Sequence, residues 1–140
     1  MSATAATALA TDVMVRAPKV FGPSLTVGEL RAAFADDHVH MLLVVDGRRL
    51  VGALVRGDAP ESVPADEPAL PFATLVGRTV GPTIRADVVR AEMVAQGVRR
   101  LAVVDGDGTL LGLLCLKRHL QGFCSDAEVA SRAADGLGCD

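Results

Sequence analysis

The sequence has few aromatic residues and no segment of concentrated positive charge. It contains no tryptophan, no tyrosine and four phenylalanines, and its 14 basic and 17 acidic residues give a formal net charge of −3. Proteins that bind nucleic acid need basic surfaces for the phosphate backbone, and aromatic side chains on which the bases of single strands stack. Nucleic acid is therefore not an expected partner of this chain.

The chain is also poor in cysteine and in long apolar runs. Its three cysteines are an odd number at unpatterned spacing, which fits neither a disulfide framework nor a tetrahedral zinc site, so a reducing cytoplasm is the simplest compartment. The N-terminus lacks the basic start and apolar stretch of a signal peptide. No apolar run approaches the roughly 18 residues that span a bilayer. We expect a soluble, cytoplasmic protein that does not associate with membranes.

Motifs that indicate catalysis or metal binding are absent from the sequence. It contains no GxGxxG, P-loop or GxSxG motif. His38 and His40 have no carboxylate or thiol at a spacing that completes a metal site, and Asp105-Gly-Asp-Gly lacks the later acidic ligand of a calcium loop. We therefore expect neither an enzyme nor a metal-binding protein.

The most informative positive feature is an internal repeat with a spacing of 59 residues. Nine of the 27 positions from Val20 to Asp46 are identical to those from Thr79 to Asp105, including shared Gly-Pro, Arg-Ala and Val-Val-Asp segments. A turn that is one residue longer in the second copy then aligns 50–54 with 110–114. Repeats of about 50 residues are too small to bury their own apolar faces, so the two should share one core.

Each copy of the repeat predicts a strand, a helix and a β-hairpin. The capping-box sequence Thr26-x-x-Glu29 marks the start of the first helix, and apolar residues at steps of three and four give it one buried face. The predicted elements are a strand at 19–21, a helix from the Thr26 cap to about Asp37, hairpin strands at 41–45 and 50–55, a strand at 79–80, a helix at about 87–96, and hairpin strands at 100–104 and 110–116.

These elements divide the chain into five parts. The expected parts are an N-terminal arm at 1–11, a first repeat at 12–58, a proline-rich acidic linker at 59–71, a second repeat at 72–124, and a C-terminal helix and tail at 125–140. The linker should be largely extended, because each proline removes an N–H group and restricts the residue before it. The C-terminal helix is indicated by a second capping-box sequence, Ser125-x-x-Glu128.

The segments Val44-Val-Asp-Gly and Val103-Val-Asp-Gly, each followed by a Leu-x-Gly-x-Leu or Leu-Leu-Gly-Leu-Leu strand, resemble a tandem pair of CBS (cystathionine β-synthase) domains. The resemblance covers about residues 12 to 124. It implies an α/β (α+β) fold in which two β-α-β-β-α repeats are related by pseudo-twofold symmetry and small sheets pack against helices. It also implies two clefts between the repeats, which in many members bind adenosine nucleotides or S-adenosylmethionine.

The family's ribose signature is Gly, two apolar residues, Ser or Thr, two variable residues and Asp. Its first copy here is Gly52-Ala-Leu-Val55-Arg-Gly-Asp58, which keeps the Asp but has Val55 in place of the hydroxyl. Nucleotide-binding relatives also carry a basic pair before the second strand, and its match in the second repeat is Arg99-Arg100. The ligand-binding residues that the resemblance implies for this cleft are Asp58, Arg99, Arg100, Val55 and Val80.

The second copy of the signature departs further from the family. It reads Gly112-Leu-Leu-Cys115-Leu-Lys-Arg118, with Cys115 in place of the hydroxyl and Arg118 in place of the Asp. A guanidinium cannot accept hydrogen bonds from ribose. The basic pair that should face it is replaced by His40 and Met41, so this second cleft is expected to be degenerate.

The resemblance supports two hypotheses about function. The first is a stand-alone regulatory module that senses an adenosine-containing ligand, either AMP, ADP or ATP or S-adenosylmethionine, in one cleft and acts on an unknown effector protein. The second is a degenerate pair that binds no nucleotide and serves as a dimerisation or adaptor module. Neither requires a cofactor.

A homodimer is expected in both cases. The four prolines after Asp58 should shorten or delete the helix that normally follows the first hairpin, and its deletion would expose apolar sheet surface. A second subunit is the expected cover for that surface, as the family resemblance also implies.

Overall fold

The computed structural model describes residues 8–125, which form two similar halves around a shared core. Within this range the elements are α1 (Ala10–Val13), β1 (Val20–Phe21), α2 (Val27–Phe34), β2 (Met41–Asp46), β3 (Arg49–Val55), a 3-10 turn (Leu70–Phe72), β4 (Thr79–Val80), α3 (Ala86–Gln96), β5 (Arg100–Val104) and β6 (Leu110–Cys115). The expected strand, helix and hairpin order of each repeat is therefore confirmed.

Each half contains a three-stranded sheet with the same topology. The strand orders are β1-β2-β3 and β4-β5-β6, with the first pair parallel and the hairpin pair antiparallel. The registers are equivalent as well, because Val20 lies opposite Leu43 and Thr79 lies opposite Ala102, each 59 residues later. Together with the helices, these sheets give the expected α+β fold with internal symmetry.

Helix α2 begins as the sequence predicts but ends earlier. The Thr26 hydroxyl accepts a hydrogen bond from the Glu29 N–H at 3.1 Å, and the Glu29 carboxylate accepts one from the Thr26 N–H at 2.9 Å. The helix ends at Phe34 instead of about Asp37. The Asp36 carboxylate accepts a hydrogen bond from the His38 N–H at 2.9 Å, a local turn that competes with further helix.

The two halves share a central apolar cluster between their sheets. Its buried members are Leu43, Leu50, Ala53 and Ala102. A separate cluster lies on the outer side of each sheet, where α2 packs over the first sheet and α3 packs over the second. The buried residues of the outer clusters are Leu25, Val27, Leu30, Phe34, Leu42, Val44, Leu54 and Ala69 in the first half, and Ala10, Val89, Met93, Leu101, Val103, Leu114 and Leu116 in the second.

The first residues of each repeat, ahead of its first strand, cross over to the sheet of the other repeat. Val15 pairs with Leu113 in β6, and Thr74 pairs with Ala53 in β3. Positions 15 and 74 are themselves 59 residues apart, so this exchange follows the same symmetry as the repeat. The halves are therefore joined by reciprocal strand pairing as well as by the central cluster.

The linker covers the apolar surface of the first sheet, which was expected to be exposed because no helix follows the first hairpin. No helix forms between 56 and 69, as the prolines predicted. Instead, Val63, Leu70 and Phe72 pack against the outer cluster of the first half. The Arg31 guanidinium holds the linker by donating to the carbonyls of Pro60, Glu61 and Val63 at 3.0, 3.2 and 2.7 Å. The expectation that this sheet surface is left for another subunit is therefore wrong, because the chain covers it itself.

Two further expectations concern the surface and the C-terminal end. Across residues 8–125, none of the helices is long and apolar enough to cross a membrane. The C-terminal helix expected from Ser125-x-x-Glu128 lies outside the described residues.

Candidate functional site

A cleft of about 350 Å³ opens at the ends of the two hairpins. Strands β2 and β5 both begin at this cleft, and β3 ends there. Its lining residues come from both repeats: His40, Met41, Val55, Val76, Gly77, Arg78, Gly97, Val98, Arg99 and Arg100. Since 40 and 99, and 41 and 100, are equivalent positions of the repeat, the pseudo-twofold axis passes close to this cleft.

The two expected arginines are anchored to the backbone at the end of β6. Arg99 Nε donates to the Leu116 carbonyl at 3.2 Å. Arg100 is buried, with 7% of its surface exposed, and its Nη1 donates to the Arg99 carbonyl at 3.0 Å. These carbonyl bonds hold both guanidinium groups beside the cleft, and a guanidinium is a group that binds phosphate oxygens.

Asp58 stands at the exit of the first hairpin and is engaged in a bidentate ion pair with Arg78. Arg78 Nη1 lies 2.6 Å from Oδ2, and Nη2 lies 3.0 Å from Oδ1. The same Nη1 also donates to the Ala53 carbonyl at 2.8 Å. Oδ2 in addition accepts from the Val55 N–H at 2.8 Å. Asp58 thus closes a local turn, and it is connected to the cleft through Arg78.

Arg78 is the functional candidate that the sequence reasoning missed. It lines the cleft directly, whereas Asp58 is not among the lining residues. A signal for it was present in the sequence, because Arg78 and Lys19 are basic residues at equivalent positions just before β4 and β1. What the sequence did not reveal is its partner, since Arg78 and Asp58 are joined only by the fold.

The cleft combines residues that were expected in separate clefts. Val55, Arg99 and Arg100 were assigned to the first cleft and His40 and Met41 to the second, and all five line this one. The remaining expected residues lie elsewhere. Val80 packs against the outer cluster of the second half, Cys115 is buried beside Val15 and Cys124, and Arg118 is exposed.

The described residues offer no arrangement suited to a metal ion. Between 8 and 125, no group of three or more His, Cys, Asp or Glu side chains lies close enough together to hold one. The chemistry of the cleft therefore comes from its arginines, its apolar walls and the carboxylate behind Arg78. This combination suits a ligand that carries an anionic group and an apolar part.

Comparison with known proteins gives a consistent result. The family model described as CBS domain matches residues 10–59 and 75–118. No curated protein is significantly similar to the chain in sequence. Many solved structures are similar to it, and three of them are useful here.

The first is a putative acetoin utilization protein (AcuB) from Vibrio cholerae, with 18% identity, a TM-score of 0.66, and coverage of 91% of this chain and 90% of that chain. The second is CBSX2 in complex with AMP, with 20% identity, a TM-score of 0.65, and coverage of 91% and 98%. The third is the cytosolic domain of the Mg²⁺ channel MgtE in complex with ATP, with 23% identity, a TM-score of 0.62, and coverage of 78% and 46%. At these identities, the likeness shows a shared fold.

Proposed function

Because the chain belongs to the CBS domain family, as the sequence resemblance predicted, we propose that it is a regulatory module and not an enzyme. In this proposal the cleft at the hairpin ends binds one adenosine-containing ligand, and binding changes how the two repeats fit together. An effector protein then responds to that change. Two fold relatives were solved with AMP and with ATP, and these are the ligands we propose first.

The observation that carries the proposal is the set of three arginines in one cleft. Arg78, Arg99 and Arg100 all line it, and arginine binds phosphate oxygens bidentately while keeping its charge. Met41 and Val55 provide apolar wall against which a base can pack. A nucleotide has an anionic phosphate at one end and a base at the other. Its phosphate can therefore bind the arginines while its base packs against Met41 and Val55.

The regulatory mechanism requires a ligand with different affinities for two arrangements of the repeats. The cleft is suited to this role because its lining residues come from both halves. A ligand that contacts Arg99 and Met41 together bridges the repeats, and it favours whichever arrangement brings them to the right separation. In this proposal the output lies on an effector protein that contacts the repeat pair.

The adaptor hypothesis has two observations in its favour. Arg78 already pairs with the Asp58 carboxylate, and Val55 stands where the family has a hydroxyl. Both features reduce the polar contacts that are available to ribose. If the cleft binds no nucleotide, the molecule is best explained as a dimerisation or adaptor module.

Thermal denaturation with and without nucleotide separates the two hypotheses. We expect 1 mM AMP, ADP or ATP to raise the melting midpoint, because a ligand at 100 times its dissociation constant adds about 2.7 kcal/mol of stability. S-adenosylmethionine is included as a further adenosine ligand. Unchanged midpoints with all four compounds contradict the sensor hypothesis and leave the adaptor hypothesis.

A pair of matched variants locates the binding site. Arg99→Ala should weaken nucleotide binding about tenfold to a hundredfold, because it removes a charged hydrogen-bond donor worth about 1.5–3 kcal/mol. Arg48→Ala is the control, since Arg48 is an exposed arginine at the turn of the first hairpin, at the other end of β2 and β3. Equal losses in both variants would show that the arginine effect is not specific to the cleft.

Two further parts of the proposal concern assembly and compartment. We propose a homodimer, which now rests on the family resemblance alone because the linker covers the first sheet. We also propose a cytoplasmic location, where adenosine nucleotides are plentiful. Analytical ultracentrifugation and cell fractionation check these statements, and a monomer at micromolar concentration or a protein outside the cytoplasm contradicts them.

A further inference from the structure

The position of Arg78 between the cleft and Asp58 determines what a ligand must do to reach the carboxylate. Arg78 lines the cleft, and Asp58 lies behind it, bound through both of its oxygens. The two side chains are largely shielded from solvent, with 18% and 17% of their surfaces exposed. A ligand that approaches from the cleft meets the guanidinium before it meets the carboxylate.

The hydrogen bonds that the Asp58 carboxylate already accepts leave too few acceptor sites for the two hydroxyls of a diol. An ionised carboxylate has about four lone-pair sites that accept hydrogen bonds. Oδ2 accepts from the Val55 N–H and from Arg78 Nη1, and Oδ1 accepts from Arg78 Nη2. About one site remains, whereas the two neighbouring hydroxyls of a ribose need two. For a ribose to bind Asp58, Arg78 must therefore break its hydrogen bond to at least one of the two carboxylate oxygens.

A guanidinium that has left Asp58 needs another anion. Arg78 cannot lose its charge, and a shielded charge without a counter-ion is strongly disfavoured. A phosphate in the cleft supplies that anion at the place where Arg78 already lies. A neutral nucleoside supplies none, and a cationic sulfonium ligand adds repulsion.

We propose that Arg78 is a specificity-determining residue that exchanges Asp58 for the anionic group of the ligand. This inference rests on the proposed function, and it names the ligand class: a molecule with a vicinal diol and a phosphate on the same frame. Ligands with the diol alone are discriminated against, because they must break the Arg78–Asp58 pair without replacing it.

The same exchange links ligand binding to the arrangement of the repeats. The Arg78 carbonyl accepts a hydrogen bond from the Ala102 N–H of β5 at 2.8 Å, so its backbone belongs to the second repeat. Its side chain holds Asp58 and the Ala53 carbonyl, which belong to the first. Release of Asp58 removes a direct connection between the halves, and this is the change that an effector protein can detect.

The test is isothermal titration of the full chain with adenosine, AMP and inorganic phosphate. Arg78→Gln removes the charge and leaves Asp58 open, so we expect adenosine to bind at least about fivefold more tightly than to the wild type. AMP should bind about tenfold more weakly to the same variant, because the phosphate loses Arg78. The gain for adenosine is the decisive result, since loss of a simple phosphate contact leaves adenosine affinity unchanged.

Two further variants keep the test decisive. Asp58→Asn breaks the same ion pair from the other side and should give no gain for adenosine, which separates access to the carboxylate from general loosening. Arg78→Lys keeps one charge and frees one oxygen, so it should give a smaller gain, and it replaces Arg78→Gln if that variant does not fold.

The outcomes distinguish this inference from the proposed function. If the wild type binds AMP but Arg78→Gln shows no gain for adenosine, Arg78 is not an exchange residue and the nucleotide sensor remains. If no variant and no wild-type sample binds adenosine or AMP, the exchange is overturned, whereas the sensor hypothesis is overturned only if ADP, ATP and S-adenosylmethionine also leave the melting midpoint unchanged. If only Arg78→Gln binds adenosine, the exchange is supported, and the wild-type cleft is held closed by its own arginine.

Discussion

We expect Leu114→Ala to lower the free energy of unfolding by about 2–5 kcal/mol, the range for leucine truncations in a close-packed core. Leu114 is fully buried in β6, where the outer cluster of the second half also contains Val89 and Met93 of α3 and Ala10 of α1. Truncation removes apolar contacts and leaves a cavity among three separate elements. None of these elements can close the cavity without disturbing its own packing.

Leu54→Ala is the matched experiment in the first half. Leu54 occupies the equivalent position in β3 and is also fully buried, so the loss should lie in the same range. Both variants should unfold in a single transition, because Leu43 and Ala102 join the two halves in one central cluster. Separate transitions for the two halves would contradict the shared core.

Far-UV circular dichroism during urea unfolding is the appropriate measurement, since the chain has no tryptophan or tyrosine for fluorescence. Val76→Ala serves as the control because Val76 is 85% exposed, and its change should stay within about 0.5 kcal/mol. A loss below about 1 kcal/mol for Leu114→Ala would mean that β6 packs less tightly than described.

The sequence predicted most of the scaffold because its signals are local or periodic. The hairpin strands appear as apolar runs separated by Asp-Gly turns, and Thr26 with Glu29 fixes the start of α2 within four residues of chain. The 59-residue repeat added the long-range information, since equivalent segments must adopt equivalent structures. The order of the elements, the approximate bounds of most strands and the family followed from these patterns together.

The sequence could not predict how segments far apart in the chain cover one another. The linker was expected to leave the first sheet bare, but Arg31 fixes it in place through carbonyl groups, which carry no side-chain signature. The repeat nevertheless holds a hint, because Arg90 is equivalent to Arg31 and donates to the Leu120 carbonyl at 3.0 Å, in the segment after the second hairpin. Arg31 and Arg90 occupy equivalent positions, and each one binds backbone carbonyl groups in the segment that follows the hairpin of its own repeat.

The same limit applies to the site. Arg99, Arg100 and Asp58 were found from a motif, whereas Arg78, which lines the same cleft as the two arginines and pairs with Asp58, was not. Arg78 acts through an ion pair with a residue 20 positions away, and only the fold brings the two together. The ligand-binding roles of all these residues remain predictions until the titrations described above are made.

Among the Gly→Ala changes within residues 8–125, Gly112→Ala should be the most damaging, with a loss of about 3 kcal/mol, the upper end for an overpacked core. An added Cβ at Gly112 would lie 2.5 Å from Met14 Sδ and 2.6 Å from the Val15 carbonyl oxygen. The sulfur can rotate away, but the carbonyl cannot. It accepts a hydrogen bond from the Leu113 N–H at 2.9 Å, in the strand pairing that holds the crossing segment.

Gly52→Ala tests the equivalent position in the first half and should cost less, about 1–2 kcal/mol. There the added Cβ would lie 2.6 Å from Ala73 Cβ, which moves only with its backbone, and 3.1 Å from Leu70 Cδ1, so one atom lies closer than 3.0 Å where Gly112 has three. Gly106→Ala is the control, because nothing lies within 4 Å of its added Cβ, and it should change stability by less than about 0.5 kcal/mol.

Urea unfolding should show the largest loss of stability for Gly112→Ala, a smaller loss for Gly52→Ala and the smallest change for Gly106→Ala. The family signature begins with a glycine in both copies, and these contacts give the reason: a neighbouring segment lies directly against each one. In the second half that segment is the start of the first repeat, at Met14 and Val15. If Gly112→Ala changes stability as little as Gly106→Ala does, the segment at Met14 and Val15 does not pack on β6. The reciprocal strand pairing between the halves would then be wrong.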